Sequence, residues 1–163
     1  MLKGDNVNFK QKIKKLYYFF RNPIYKFYCF IFRPKSLGVK VVVENDNKIL
    51  MVRIGYAHKG WTFSGGGVGK YESFKEAGLR ELEEEVGIKA QDIIEMGEYS
   101  SERYFRKNIV KCFYLHADSS FVKIDNFEIV ESGWYDTEKL PENCSFAVPK
   151  IIEIYKEFKE KHK

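Results

Sequence analysis

The stretch 65-GGGVGKYESFKEAGLRELEEEVGI-88 determines the fold and the chemistry expected of this chain of 163 residues. Three consecutive glycines lead into a segment that is dense in glutamates. Ser73, followed three positions later by Glu76, forms a capping box and predicts that a helix begins at Ser73. Gly87 is the residue expected to end that helix. The stretch therefore predicts a glycine loop that runs directly into one well-defined helix.

Three glutamates share one face of this predicted helix. Glu81, Glu84 and Glu85 stand at positions i, i+3 and i+4, where like charges destabilise an isolated helix by roughly a few tenths of a kcal/mol per pair. A bound divalent cation would offset this repulsion, and carboxylates are the ligands that Mg²⁺ and Mn²⁺ select. A solvated acidic face is the alternative interpretation. The preceding glycines favour the metal site, because they let the backbone approach a ligand closely.

The arrangement of these residues resembles the complete signature of the Nudix hydrolases, the Nudix box. The positions that match it are Gly66, Glu72, Arg80, Glu81, Leu82, Glu84, Glu85, Gly87 and Ile88. The preceding "GWTFSGGGV" is similar to the family's usual lead-in, although Ser64 stands where proline is usual. That departure is expected to affect the stiffness of the loop rather than its chemistry. The resemblance extends from about Leu37 to the C-terminus.

This resemblance implies an α/β/α sandwich around a mixed β-sheet. It also implies Mg²⁺- or Mn²⁺-dependent cleavage of a pyrophosphate linkage in a nucleoside diphosphate joined to another group. The metal ligands that it implies are Glu81, Glu84, Glu85 and the carbonyl of Gly65 or Gly66. In some members Glu81 is instead the catalytic base. Arg80 and Glu72 are expected to orient the acids by ion pairing and hydrogen bonding.

Further candidate residues lie outside the box. The segment "FEIVESGWY" resembles one that lends an additional acid to the metal cluster in many Nudix members. Glu128 and Glu131 are the candidates, and Glu131 is preferred because it lies three residues before Trp134. A solvent-facing acid at a strand end is the alternative for either residue.

Four residues are expected to bind the substrate. Arg53 is a candidate for contacting phosphates, and Trp61 and Phe63 are candidates for stacking on a base, with core packing as their alternative role. Tyr104 lies sixteen residues after Ile88, where diadenosine polyphosphate hydrolases often have a tyrosine. The substrate class stays open among nucleotides, nucleotide sugars, ADP-ribose-like compounds, dinucleoside polyphosphates and RNA 5′ ends.

The remaining elements follow from hydrophobic patterning. Apolar runs at 37–44 and 48–54 flank "NDN" and predict a β-hairpin. Three further strands are predicted by "DIIEMGEYSS", "NIVKCFYLHAD" and "EIVESGWYD". A C-terminal amphipathic helix is predicted by the helical spacing of Ile151, Ile152, Tyr155 and Phe158. A short helix is expected at about residues 8–20.

The net charge of +5 is unevenly distributed. Residues 1–36 hold nine basic residues and one acidic residue, a charge of +8, which leaves −3 on the rest. We therefore predict a basic, aromatic extension at 1–36 and a Nudix domain at 37–163. The extension suits an anionic membrane surface or the phosphates of RNA. It equally suits a helix packed over the domain or against a second copy in a homodimer.

Several other classes of protein fit the sequence less well. No stretch approaches the ~20 apolar residues of a membrane span, and the N-terminus lacks a secretory signal. Three cysteines without paired spacing argue against a disulfide framework, so a cytoplasmic enzyme is expected. Inactive Nudix-fold binding modules usually lose a box acid, and none is missing here. Isopentenyl diphosphate isomerase needs a grouping of histidines that His58, His116 and His162 do not show.

Overall fold

The computed structural model of the chain describes residues 35–55, 60–103, 106–124 and 129–162. The helix predicted at 8–20 lies outside these residues, as do Tyr104 and Glu128. The chain divides into two compact units, one of residues 1–36 with 101–108 and the other of residues 37–100 with 109–163. The glycine loop, the glutamate-rich helix and both core clusters belong to the second unit.

The described residues form six strands and two helices. In chain order they are β1 (Lys35–Asn45), β2 (Lys48–Ile54), β3 (Trp61–Thr62), α1 (Phe74–Val86), β4 (Ile94–Arg103), β5 (Arg106–His116), β6 (Ile129–Tyr135) and α2 (Val148–Lys161). The strands form one sheet in the order β3-β2-β1-β5-β4, and β6 pairs antiparallel with β2. No helix in the described ranges is long and apolar enough to cross a membrane.

The predicted hairpin is confirmed. Strands β1 and β2 pair antiparallel, with Glu44 opposite Ile49 at the closed end. Asp46 and Asn47 form the turn with φ angles of 49° and 60°. Asp and Asn tolerate this left-handed conformation, which a two-residue hairpin turn requires.

The glycine loop is hydrogen-bonded along β1 as an additional extended segment. The Val41 N–H donates to the Ser64 carbonyl, and the Val39 N–H donates to the Gly66 carbonyl, each at 2.9 Å. Between these bonds Gly65 has φ 131°, and a Cβ there would lie 2.2 Å from the Val39 oxygen. Only glycine fits that position, so the backbone of the loop is fixed against β1.

Helix α1 begins and ends where the sequence predicts. The Glu76 N–H donates to Ser73 Oγ at 3.2 Å and the Ser73 N–H donates to Glu76 Oε2 at 2.8 Å, which completes the capping box. At the other end Gly87 has φ 68°, and its N–H donates to the Glu83 carbonyl. Both ends therefore satisfy backbone groups that a helix terminus leaves open.

The sheet is covered by a helix on each face. One core cluster combines Val39, Val41 and Val43 of β1 with Ala77, Leu82 and Val86 of α1. The other combines Val42, Ile49 and Met51 with Val148, Ile151, Ile152 and Tyr155 of α2. Alternate residues of β1 and β2 thus enter opposite clusters, as the pleat of a strand requires. The predicted α/β/α sandwich and the amphipathic C-terminal helix are confirmed.

Candidate active site

Arg80 links three glutamates and the glycine loop. Its Nε donates to Glu72 Oε1 at 2.8 Å, and its Nη1 donates to Glu81 Oε1 at 2.8 Å and to Glu84 Oε2 at 2.9 Å. Its Nη2 also donates to the carbonyl of Gly67. The hydrogen bonds to the three glutamates, first that to Glu72, raise the pKa of the guanidinium. One arginine side chain therefore offsets the repulsion between Glu81 and Glu84, two of the three glutamates that share a helix face.

The bonds to Arg80 also fix the ionisation of Glu72. The hydrogen bond from Arg80, and next that from the Gly69 N–H, lower the pKa of the Glu72 carboxyl. Glu72 therefore stays ionised and holds Arg80 against the loop. The role of these two residues in orienting the acids stays a prediction, and these hydrogen bonds are the contacts that it requires.

Glu85 is held by the loop rather than by Arg80. Its Oε2 accepts from Ser64 Oγ at 2.7 Å and from the Gly65 N–H at 2.9 Å. Burial raises the pKa of the Glu85 carboxyl, while the nearby charge of Lys40 and the bonds from Ser64 and Gly65 oppose that rise. Ser64 thus contacts a box acid directly, and the expectation that it affects only loop stiffness stays a prediction.

The loop backbone also lies directly against Glu81. A Cβ at Gly66 would stand 2.4 Å from Glu81 Oε1 and 2.8 Å from its Cδ. The Glu81 side chain is only 14% exposed. Glycine at this position therefore lets the main chain and the carboxylate approach each other more closely than any side chain would allow.

The atoms at the loop that could bind a metal ion are all oxygens. They are the carboxylates of Glu81 and Glu85 and the carbonyls of the loop, a set that suits a hard divalent ion such as Mg²⁺ or Mn²⁺. Within the part of the chain that the structure describes, no three acidic, histidine or cysteine side chains form a metal-binding group. Glu84 and Glu81 are bound to Arg80 instead. These residues can hold the ion if Glu81 and Glu84 release Arg80 and bind the ion in its place.

Two residues predicted to have separate roles contact each other. Arg53 and Glu131 are register partners on β2 and β6, and Arg53 Nη2 lies 2.6 Å from Glu131 Oε2. Both side chains are substantially exposed. The roles of Arg53 toward phosphate and of Glu131 toward metal stay predictions, and each now requires this ion pair to open or to be shared.

The expectation that Trp61 and Phe63 stack on a base is wrong. Phe63 is fully buried and Trp61 is 8% exposed, and both belong to the core cluster under α2. The Trp61 ring packs edge-on against Tyr135, with 5.2 Å between the ring centroids. Because the side chains at 61 and 63 point into the core, neither ring is accessible to a substrate. Tyr104 lies outside the described residues, and its role stays a prediction.

Lys40 is a site residue that the sequence reasoning missed. Its Nζ donates to the carbonyls of Phe63 and Gly65, each at 2.7 Å. Burial lowers the pKa of the Lys40 ammonium, and the charges of Glu85 and Glu81 act against that decrease. The available signal was a single lysine inside the valine-rich run "GVKVVV", where an apolar residue is expected.

Comparison with known proteins places these features in one family. A NUDIX domain model matches residues 34–158. The RNA pyrophosphohydrolase of Pelagibacter ubique is 31% identical over 149 residues, which span 80% of this chain and 92% of that protein. The RNA pyrophosphohydrolase of Teredinibacter turnerae is 37% identical over 62 residues, 38% of this chain and 35% of its own length.

A solved structure agrees with the fold. The MutT NUDIX hydrolase from Burkholderia pseudomallei superposes with a TM-score of 0.67 at 22% identity, covering 73% of this chain and 96% of that one. The glycine loop, Arg80 and the box glutamates all lie within the range that the family model matches. This chain belongs to the Nudix family and is a hydrolase of pyrophosphate bonds.

Proposed function

We propose that the chain hydrolyses a pyrophosphate bond in a nucleoside diphosphate linked to another group, with Mg²⁺ or Mn²⁺ held at the box. The observation that carries this proposal is the contact of the loop backbone with two box acids. The Gly65 N–H bonds to Glu85, and Gly66 leaves no space for a side chain beside Glu81. A merely solvated acidic face would require neither contact.

In this proposal Glu81, Glu84 and Glu85 hold the ion, with the carbonyl of Gly65 or Gly66. The bound ion would neutralise phosphate charge and lower the pKa of a coordinated water. Arg80 restrains Glu81 and Glu84 near the loop through its bonds of 2.8 and 2.9 Å. Glu131 is proposed as a further ligand.

The remaining polar residues have supporting roles in the proposal. Glu72 anchors Arg80 by accepting hydrogen bonds from its Nε at 2.8 Å and its Nη2 at 3.1 Å. Arg53, at the end of β2, is proposed to contact a substrate phosphate, since its pairing with Glu131 places a guanidinium beside the proposed additional ligand. The Arg80–Glu84 and Arg53–Glu131 pairs are exposed enough to rearrange on binding, whereas the Glu81 side chain bonded to Arg80 is only 14% exposed.

The proposal is tested by an assay over a substrate panel with identified products. The panel contains ADP-ribose, a UDP-sugar, a dinucleoside tetraphosphate, nucleoside triphosphates and an RNA with a 5′-triphosphate. We expect hydrolysis of at least one substrate with Mg²⁺ or Mn²⁺, loss of activity with EDTA and recovery when the ion is restored. Turnover that survives EDTA and dialysis would contradict metal dependence.

RNA 5′ ends are a second candidate substrate. Both curated relatives described above are named RNA pyrophosphohydrolases, and residues 1–36 carry a charge of +8. A triphosphorylated RNA of about 15 nucleotides and the matching mononucleoside triphosphate share one scissile group. A kcat/KM at least ~10-fold higher for the RNA supports RNA as the substrate, since extra phosphates contribute binding only in the longer molecule. Equal values favour a small nucleotide.

A further inference from the structure

Lys40 is a positive charge built into the wall of the proposed metal site. It lies on β1 between Val39 and Val41, both fully buried, in the strand that pairs with the glycine loop. Its Nζ bonds to the carbonyls of Phe63 and Gly65 at 2.7 Å each. The bonds span 23 and 25 residues of sequence, so the contact depends on the complete fold.

Both backbone polar groups of Gly65 are hydrogen-bonded. Its N–H donates to Glu85 at 2.9 Å, and its carbonyl accepts from Lys40 at 2.7 Å. That carbonyl is one of the two oxygens proposed to ligate the metal. The ammonium therefore bonds to a carbonyl oxygen that the ion would also use, in the residue whose N–H bonds to a proposed ligand carboxylate.

The charges around Lys40 come from the box. Burial lowers the pKa of the Lys40 ammonium, and the charges of Glu85 and Glu81 oppose that decrease. Burial likewise raises the pKa of the Glu85 carboxyl, and the charge of Lys40 opposes that rise. These charge interactions act between a side chain of β1 and side chains of α1, and the glycine loop is hydrogen-bonded to β1. A cation bound at the same acids would meet the repulsion of the ammonium.

We propose that Lys40 is a positioning residue that competes with the divalent ion, holding the Gly65 carbonyl and supplying positive charge at Glu85 and Glu81 until the metal binds. Its role rests on the proposed function and concerns the same site. The consequence is a lowered affinity of the box for its first ion, with a loop that keeps its shape in the absence of metal. A lysine that served only to stabilise the loop would leave metal affinity unchanged or, when removed, weaken it.

The test is Mn²⁺ binding to the full chain without substrate, followed by the electron paramagnetic resonance signal of the free ion. Two variants remove the charge: Lys40→Met keeps an apolar chain of similar length, and Lys40→Gln keeps an N–H donor for the carbonyls. Lys48→Met is the matched control, because it removes the same charge from an exposed position at the start of β2. Thermal unfolding in EDTA establishes which variants are folded.

We expect Lys40→Met and Lys40→Gln to bind Mn²⁺ about 10-fold more tightly or better, since one unit of like charge close to the ion is lost. Lys48→Met should keep the wild-type affinity. Unchanged or weaker binding in the folded Lys40 variants overturns the proposal, and Lys40→Gln decides alone if Lys40→Met does not fold. If wild type and Lys48→Met bind no Mn²⁺, the proposed function fails as well, which is a different result.

Discussion

At the scale of single residues, the two groups of acids in the box are held differently. Glu81 and Glu84 bond to the guanidinium of Arg80, whereas Glu85 bonds to the neutral donors Ser64 and Gly65. Glu85 is therefore a carboxylate whose charge is available to a cation without breaking an ion pair at the box. Among the three glutamates it is the one for which substitution should most directly report loss of metal charge.

We expect Glu85→Gln to lower kcat by at least about 10²-fold, because charge that stabilises the transition state is lost. Glutamine keeps a carbonyl oxygen that can accept from Ser64 and Gly65, so the thermal midpoint should change little. The matched control is Glu83→Gln on the same helix, where the exposed carboxylate pairs with Lys89. Near-normal turnover of folded Glu85→Gln in a steady-state assay would contradict the assignment.

Residue identity alone could not reveal the contacts of Lys40 and Ser64 or the burial of Phe63. The box signature predicts Glu85 as a ligand, but the hydrogen bond from Ser64 joins residues 21 positions apart, and no local pattern encodes it. Phe63 follows a strand of only two residues, which is too short for alternation to show which face is buried. These errors arise where the contact is between elements rather than within one.

At the scale of elements, the glycine loop is the part whose geometry is most restrictive. A Cβ at Gly66 would meet Glu81 Oε1 at 2.4 Å, whereas a Cβ at Gly67 would meet nothing within 4 Å. Two neighbouring glycines of the same loop thus differ in whether they have space for a side chain. Gly67 contributes its carbonyl to Arg80 instead, a contact that alanine would preserve.

We therefore expect Gly66→Ala to lower kcat/KM by about 10-fold or more, because the Glu81 carboxylate must move away from the loop. Gly67→Ala is the control and should retain activity within about 2-fold. Mn²⁺ affinity, measured without substrate, should fall for Gly66→Ala and stay unchanged for Gly67→Ala. Equal kinetics for the two variants would show that the close approach at Gly66 has no role in the site.

A second inter-element contact joins β1 to α2 through a buried carboxylate. Glu44, 4% exposed, accepts from Tyr155 Oη at 2.8 Å and from Lys159 Nζ at 2.9 Å. Burial raises the pKa of Glu44, but the hydrogen bonds from Lys159 and Tyr155 outweigh it and lower the pKa overall. Because the pKa of this carboxyl is lower in the folded state, its ionised form stabilises the fold at pH values above its unfolded-state pKa, near 4.5. That stabilisation is lost as the pH falls through the folded-state pKa.

We expect Glu44→Gln to lower the free energy of unfolding by about 1–3 kcal/mol at pH 7. The difference from wild type should shrink as the pH falls below about 4.5, where the wild-type carboxyl begins to be protonated in the unfolded state. Urea unfolding at pH 7 and at pH 3.5 measures both values. Glu138→Gln, which breaks an exposed pair with Lys156, is the control and should cost less than about 1 kcal/mol. A pH-independent effect of Glu44→Gln would contradict the linkage.

The limits of α1 and the buried face of α2 were predictable because their signals are local. Ser73 with Glu76 sets the start of α1, Gly87 sets its end, and the apolar spacing of α2 identifies its buried face. The hydrogen bonds of the loop to β1 were not predictable in the same way. They join backbone groups, such as Val39 N–H and the Gly66 carbonyl, that carry no side-chain signature.

At the scale of the whole molecule, the fold does not explain the uneven distribution of charge along the chain. The chain carries +8 on residues 1–36 and −3 on the remainder, although the substrate of a pyrophosphate hydrolase is an anion. The site itself concentrates negative charge at the box, with Arg80 and Lys40 as nearby cations. A membrane surface, a second copy of the chain and RNA all stay predictions as partners of residues 1–36.

Of these three partners, RNA gives the most specific prediction, because RNA phosphates release counterions when a protein binds them. If residues 1–36 bind RNA phosphates, log(kcat/KM) for a triphosphorylated RNA should fall with log salt more steeply than for a nucleoside triphosphate. Replacing Lys10, Lys12, Lys14 and Lys15 by glutamine removes four charges, so the RNA slope should become shallower by up to about 2.8, at roughly 0.7 per phosphate contact on a single strand. The nucleotide slope should not change.

The measurement is steady-state hydrolysis of both substrates between about 50 and 200 mM salt, a range in which electrostatic binding changes strongly. The matched control replaces four exposed lysines of the domain, Lys48, Lys70, Lys89 and Lys150, by glutamine, which keeps the same net charge as the first variant. If both variants shift the RNA slope equally, the effect follows net charge and not the extension. A different result is that neither variant shifts the RNA slope, while the N-terminal variant loses co-flotation with anionic liposomes. The extension then binds a membrane surface rather than RNA. Lipid binding by basic residues also depends on salt, but it does not depend on the substrate.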